Sequence, residues 1–68
     1  MFQPGDLVEY QKTLHFVIKN KINSILSICP VDKIELFGSE KEREYSINKN
    51  SYDVHENNLK LNTTSRLE

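Results

Sequence analysis

The amino-acid sequence predicts an all-β fold, a small closed five-stranded barrel. Three observations carry that expectation. The chain contains no alanine, the best helix former, while Val, Ile, Tyr, Phe and Thr are spread throughout, so intrinsic propensity leans toward strand. Apolar and polar residues alternate in short runs, and clusters of Gly, Pro, Asn and Ser separate those runs. With 68 residues the chain forms one thin-cored domain, burying only about 60% of its unfolded surface. Residues 1–62 are assigned to that domain. Residues 63–68 are read as a disordered tail, with Leu67-Glu68 the remnant of a cloning site before a purification tag.

The first strand follows Pro4-Gly5. From Asp6 to Lys12 the chain alternates, with Val8 and Tyr10 on one face and Glu9 on the other, and Phe2 either folds back over one end of the core or belongs to a loose terminus. The stretch from Leu14 to Cys29 admits two readings. With period two, Phe16 and Ile18 share a face, Asn23-Ser24 turns the chain, and Ile25-Leu26-Ser27-Ile28 begins a return strand. With period 3.6, Leu14, Val17, Ile18, Ile22, Ile25, Ile28 and Cys29 form an apolar stripe, Thr13 is an N-cap and Pro30 a stop. The second reading gives an α+β fold, one helix at 13–29 packed on an antiparallel sheet.

Beyond Pro30, Lys33-Ile34-Glu35-Leu36-Phe37 and Arg43-Glu44-Tyr45-Ser46-Ile47 alternate on either side of Gly38-Ser39-Glu40-Lys41. A hairpin is expected there, with Ile34, Leu36, Tyr45 and Ile47 facing inward. Asn48-Lys49-Asn50-Ser51 is a polar turn. A last short strand ends at Val54, His55-Glu56-Asn57-Asn58 makes one tight turn, and Leu59 and Leu61 resume the alternation.

The tight turn between two short strands, flanked by Val54 and Leu59, resembles the closing segment of Src-homology-type (SH3-like) small barrels. The opening Pro4-Gly5-Asp6-Leu7-Val8 is similar to the first strand of the KOW-type and PemK-type members of that superfold. The resemblance covers both ends of the chain and implies a five-stranded barrel whose first and last strands lie side by side. Gln11-Lys12-Thr13 has no glycine where KOW motifs place one. The only arginines are Arg43 and Arg66, so the ribonuclease activity of PemK-type proteins is not implied.

Net charge is -1, distributed unevenly: residues 1–31 sum to +1 and residues 32–56 to -3. The single Cys29 cannot form an intrachain disulfide, and with no secretory leader or long apolar run a reducing, cytoplasmic setting is expected. Lys, Asn and Ile are frequent and have AT-rich codons, which points to an AT-rich bacterial or phage genome.

Candidate chemistry is sparse. Cys29 reads as a small buried hydrophobe, because a nucleophile needs a base and His15 and His55 are distant in sequence. Asp53, His55 and Glu56 are near one another but lack the spacing of a metal site, so no metal and no cofactor is assigned. Lys12, Lys19 and Lys21, with Tyr10 and Tyr52, are the candidate contact residues for a partner, since lysines beside aromatic faces suit nucleic acid as well as protein. The sequence thus points to a non-enzymatic binding module, for a protein partner or, alternatively, as a nucleic-acid-binding accessory protein.

Overall fold

The computed structural model describes residues 2–61, so the tail expected at 63–68 lies outside the described residues. Among the described residues there are five strands, β1 (Leu7–Tyr10), β2 (Thr13–Asn20), β3 (Ile25–Pro30), β4 (Tyr52–His55) and the two-residue β5 (Lys60–Leu61), and one α-helix, α1 (Glu40–Asn50), between β3 and β4. Short 3₁₀ turns occupy Val31–Lys33 and Glu56–Asn58.

Local chemistry accounts for the strand boundaries. Pro4 and Gly5 occupy the centre of a four-residue turn closed by the Asp6 amide donating to the Gln3 carbonyl at 3.0 Å. Gly5 has φ +95°, the left-handed backbone that the third position of a type II turn requires. β1 and β2 are then joined through Gln11 and Lys12, both at positive φ (52° and 64°), and two such residues match the twist of a tight hairpin. β1 therefore stops at Tyr10, short of the Lys12 end expected from alternation.

The segment 13–29 is a hairpin, with Asn23 and Ser24 at φ 60° and 62° turning the chain between β2 and β3. An Asn-Ser pair at left-handed backbone cannot continue a helix. The register slips between Val17 and Lys19, leaving Ile18 as the extra residue of a bulge. Beyond the bulge Lys19 lies opposite Ser27 and Asn20 opposite Leu26, so Lys19 shares the Ser27 face rather than following Val17 into the core.

The sheet is antiparallel and open, in the order β4-β3-β2-β1-β5, with four substantial strands and β5 bridging to β1 through Val8–Leu61 and Glu9–Lys60. No β4–β5 pairing occurs among the described residues. This corrects the closed, all-β, SH3-like five-stranded barrel: the fold is α+β, with an open antiparallel sheet and one helix. The helix is not at 13–29 but at 40–50, where a hairpin was expected. Ser39-x-x-Glu42 explains the difference. The Ser39 hydroxyl accepts from the Glu42 amide at 3.2 Å, and the Glu42 carboxylate accepts from the Ser39 amide at 2.8 Å. That reciprocal cap nucleates a helix across residues whose two-residue alternation is too short to compete.

Val8, Val17, Leu26, Ile28, Val54 and Leu59 form the core on one face, with Phe2 and Tyr10 packed against it. On the opposite face Ser27 and Cys29 are buried, and α1 packs on β3 beside them. α1 itself buries no residue fully. Arg43, Ser46, Ile47 and Asn50, its half-buried stripe, include one apolar side chain, whereas Leu36 and Tyr45, expected inside, are exposed.

Two outcomes follow. Leu59→Ala should cost about 2 to 5 kcal/mol, most of the roughly 5 kcal/mol available to a small unstapled domain, and urea unfolding would measure it. Ser39→Ala should cost about 1 kcal/mol. Because α1 buries little, that loss should emerge as faster amide exchange confined to residues 40–50, with the sheet amides unchanged.

Candidate functional site

The sheet curls enough to bring distant strands together. Tyr10 on β1 and Tyr52 on β4 stand three strand positions apart, a separation of about 14 Å in a flat sheet, yet their ring centroids are 6.0 Å apart. Between them sits His15, edge-on to Tyr10 at 5.9 Å and to Tyr52 at 5.7 Å. His15 is 2% exposed and both its ring nitrogens are engaged. Nδ1 lies 2.9 Å from the Thr13 carbonyl oxygen, and Nε2 lies 2.7 Å from the Tyr52 hydroxyl. A carbonyl can only accept, so Nδ1 carries the proton in the neutral ring and Nε2 accepts from Tyr52.

The candidate contact residues do not form one patch. Tyr10 and Lys12 are at the end where β1 turns into β2, and Tyr52 opens β4 level with Val17 of β2. Lys19 and Lys21 are at the other end of β2, roughly 20 Å from Lys12 at the usual strand rise. Lys21 is also committed, its Nζ 3.0 Å from Asp53 Oδ2 on β4. The two tyrosines come together around a histidine that the sequence did not assign to them. Its only sequence signal was its position on an alternating stretch, in register with Val17.

The remaining candidates are occupied by structural work. Burial pushes the Cys29 thiol up, a hydrogen bond with Ser51 pulls it partly back, and Asp32 adds to the rise. Its Sγ lies 3.6 Å from the Pro30 carbonyl. Burial also pushes the Tyr52 phenol up, reinforced by Tyr10 and Cys29. His55 Nδ1 accepts from the Asn57 amide at 3.1 Å, capping the 3₁₀ turn. Among the described residues no three His, Cys, Asp or Glu side chains converge as metal ligands would, and no helix is long and apolar enough to cross a membrane.

What the structure adds is a surface. Residues 35–38 lie against α1: the Glu35 amide donates to Ser46 Oγ at 2.9 Å, and Gly38 approaches Glu42 so closely that a Cβ there would meet Glu42 Oε1 at 2.5 Å. Beside this seam is an open groove of about 360 Å³ lined by Glu35, Lys41, Glu42, Tyr45 and Ser46. Next to it Phe37 is 97% exposed, Tyr45 67% and Leu36 57%. Ordinary surfaces expose single apolar side chains, but three large ones on one seam mark an interaction site more often than chance. Alternation concealed this surface, since it assigned Leu36 and Tyr45 to the core.

No family model matches this chain, nor does any curated protein or solved structure. The site is therefore read from its own geometry.

Two measurements test the buried cluster. Nitrogen-resolved NMR of the neutral His15 ring should show the Nδ1–H tautomer, and Tyr52→Phe, which leaves Nε2 without a donor, should cost about 1 to 3 kcal/mol. Alkaline pH tests the two raised groups. The folded protein keeps protons on Cys29 and Tyr52 that the unfolded chain releases, so stability is complete below the unfolded pKa values and is lost as pH rises toward the folded ones. The urea midpoint should fall from roughly pH 8.5 upward, and Cys29→Ala should remove the first part of that fall.

Proposed function

We propose that this chain is a non-enzymatic binding module that engages a protein partner through the seam between residues 35–38 and α1. The observation that carries the reading is Phe37, an aromatic side chain 97% exposed beside a groove. Aromatic anchors of this kind account for most of the energy of protein interfaces when they enter a partner's pocket. The groups that could have served as nucleophile and base support the same reading. Cys29 is buried with its thiol pushed toward the protonated form, and the His15 ring is committed to Thr13 and Tyr52. The nucleic-acid alternative draws on Lys12, Lys19 and Lys21, which do not share one patch.

The test is retention of proteins from source-cell extract on the immobilised chain at high salt, in parallel with Phe37→Asp. A specific protein should be retained by the parent and weakened roughly thirty-fold or more in the variant, as for a central aromatic anchor. Phe37 is exposed, so the variant should keep the parent's circular dichroism. Salt-sensitive oligonucleotide binding, lost when Lys19 and Lys21 are both changed to alanine, would instead establish the nucleic-acid reading.

A further inference from the structure

The same seam carries an inference about what occupies it, one that rests on reading it as a docking surface. A projecting side chain and an open groove lie next to each other on one face. Phe37 projects into solvent, and its amide donates to Glu35 Oε1 at 3.4 Å, which ties it to the rim of the groove that Glu35 and Tyr45 line. A two-fold axis between such a projection and such a groove places each copy's projection in the other's groove, because in an isologous contact residue i meets j while j meets i.

Charge on the rim suits the same arrangement. A patch of one sign repels its own copy, but this rim carries the Lys41 ammonium together with the Glu35 and Glu42 carboxylates. The carboxylates are otherwise committed only to backbone amides, Glu35 to Phe37 and Glu42 to Ser39, which leaves their outer lone pairs for a cation. The groove is open, about 360 Å³ in volume, and the Tyr45 ring forms part of its wall, with Lys49 Nζ 5.9 Å from the centroid of that ring.

We propose that the partner this seam fits is a second copy of the chain, in a two-fold dimer in which Phe37 of each copy enters the other's groove against Tyr45 and Lys41 of each faces the other's Glu35. The patch is small beside the roughly 800 Å² per partner of standard interfaces, so the dimer is weak and concentration-dependent.

The experiment is sedimentation equilibrium of the full chain over a rising concentration series, with three variants at exposed positions whose folding is checked by circular dichroism. The parent should move from monomer toward dimer, and Phe37→Asp should remain monomeric. Lys41→Glu sets a new carboxylate of each copy against the other's Glu35, and Glu35→Lys sets a new ammonium of each against the other's Lys41, so each variant should remain monomeric alone. The two should form a heterodimer when mixed, because unlike charges then face each other at both contacts. A parent that stays monomeric throughout overturns the proposal, as does a dimer that persists in Phe37→Asp or a mixture that fails to associate. Retention of a different protein in a Phe37-dependent manner, with the parent monomeric, overturns the second copy while upholding the seam as a docking surface. Absence of both removes the docking surface too.

Discussion

The chain leaves one edge of its sheet at His55 and enters the other edge at Lys60, with only Glu56 to Leu59 between. The five residue steps from His55 to Lys60 would span at most about 18 Å fully extended, and with Glu56–Asn58 wound into a 3₁₀ turn they span far less than the roughly 19 Å of four strand spacings in a flat sheet. The sheet must therefore curl until its edges approach. Every other feature of the core depends on that curl, which places Leu59 over Val8, Val17, Leu26, Ile28 and Val54, and brings β1 within aromatic contact of β4. Closure is through side chains rather than through a backbone ladder. That distinguishes this open sheet from a barrel: the first and last strands do lie side by side, as β1 and β5, but among the described residues β4 and β5 do not pair and the ring stays open.

The Tyr10–His15–Tyr52 cluster follows from the same constraint. Three ring systems from β1, β2 and β4 meet on the core face of the sheet, and the His15–Tyr52 hydrogen bond ties β4 to β2 across the intervening β3. A buried imidazole is tolerated because both of its nitrogens have partners, one of them the backbone of its own strand. Tyr52 as a whole is 40% exposed, an amphipathic ring at the rim of the core whose hydroxyl bonds the buried His15.

The helix stands in a different energetic position. It is an addition to the outer face of β3, capped well but packed lightly, and it exposes more large apolar surface than it buries. A helix with such a polar stripe gains little from the core and depends on its cap and on the Glu35–Ser46 tie. The segment leading into it carries Phe37 into solvent. The core and the exposed apolar side chains are thus separated in space, with the sheet face holding the fold and Leu36, Phe37 and Tyr45 left in solvent at the helix seam.

How much of this was legible in the sequence depends on the range over which each signal acts. The turn at Pro4-Gly5, the strand at Val8 and Tyr10, the reversal at Asn23-Ser24 and the tight turn after His55 were readable, because each is decided by backbone preferences within a few residues. The hairpin at 13–29 was readable only as one of two periodicities, since β-branched residues fit either stripe until the left-handed turn is seen. The helix was missed. Ser39-x-x-Glu42 is itself a local signal, but five residues of alternation on each side of Gly38 masked it. Tertiary structure alone decided that His15 would find Tyr52, thirty-seven residues away, and that Phe37 and Tyr45 would share one exposed seam. Those pairings follow from sheet curl and from where a helix docks, which are properties of the packed whole. Composition and local spacing determine which elements can form, and the burial they compete for determines which side chains meet.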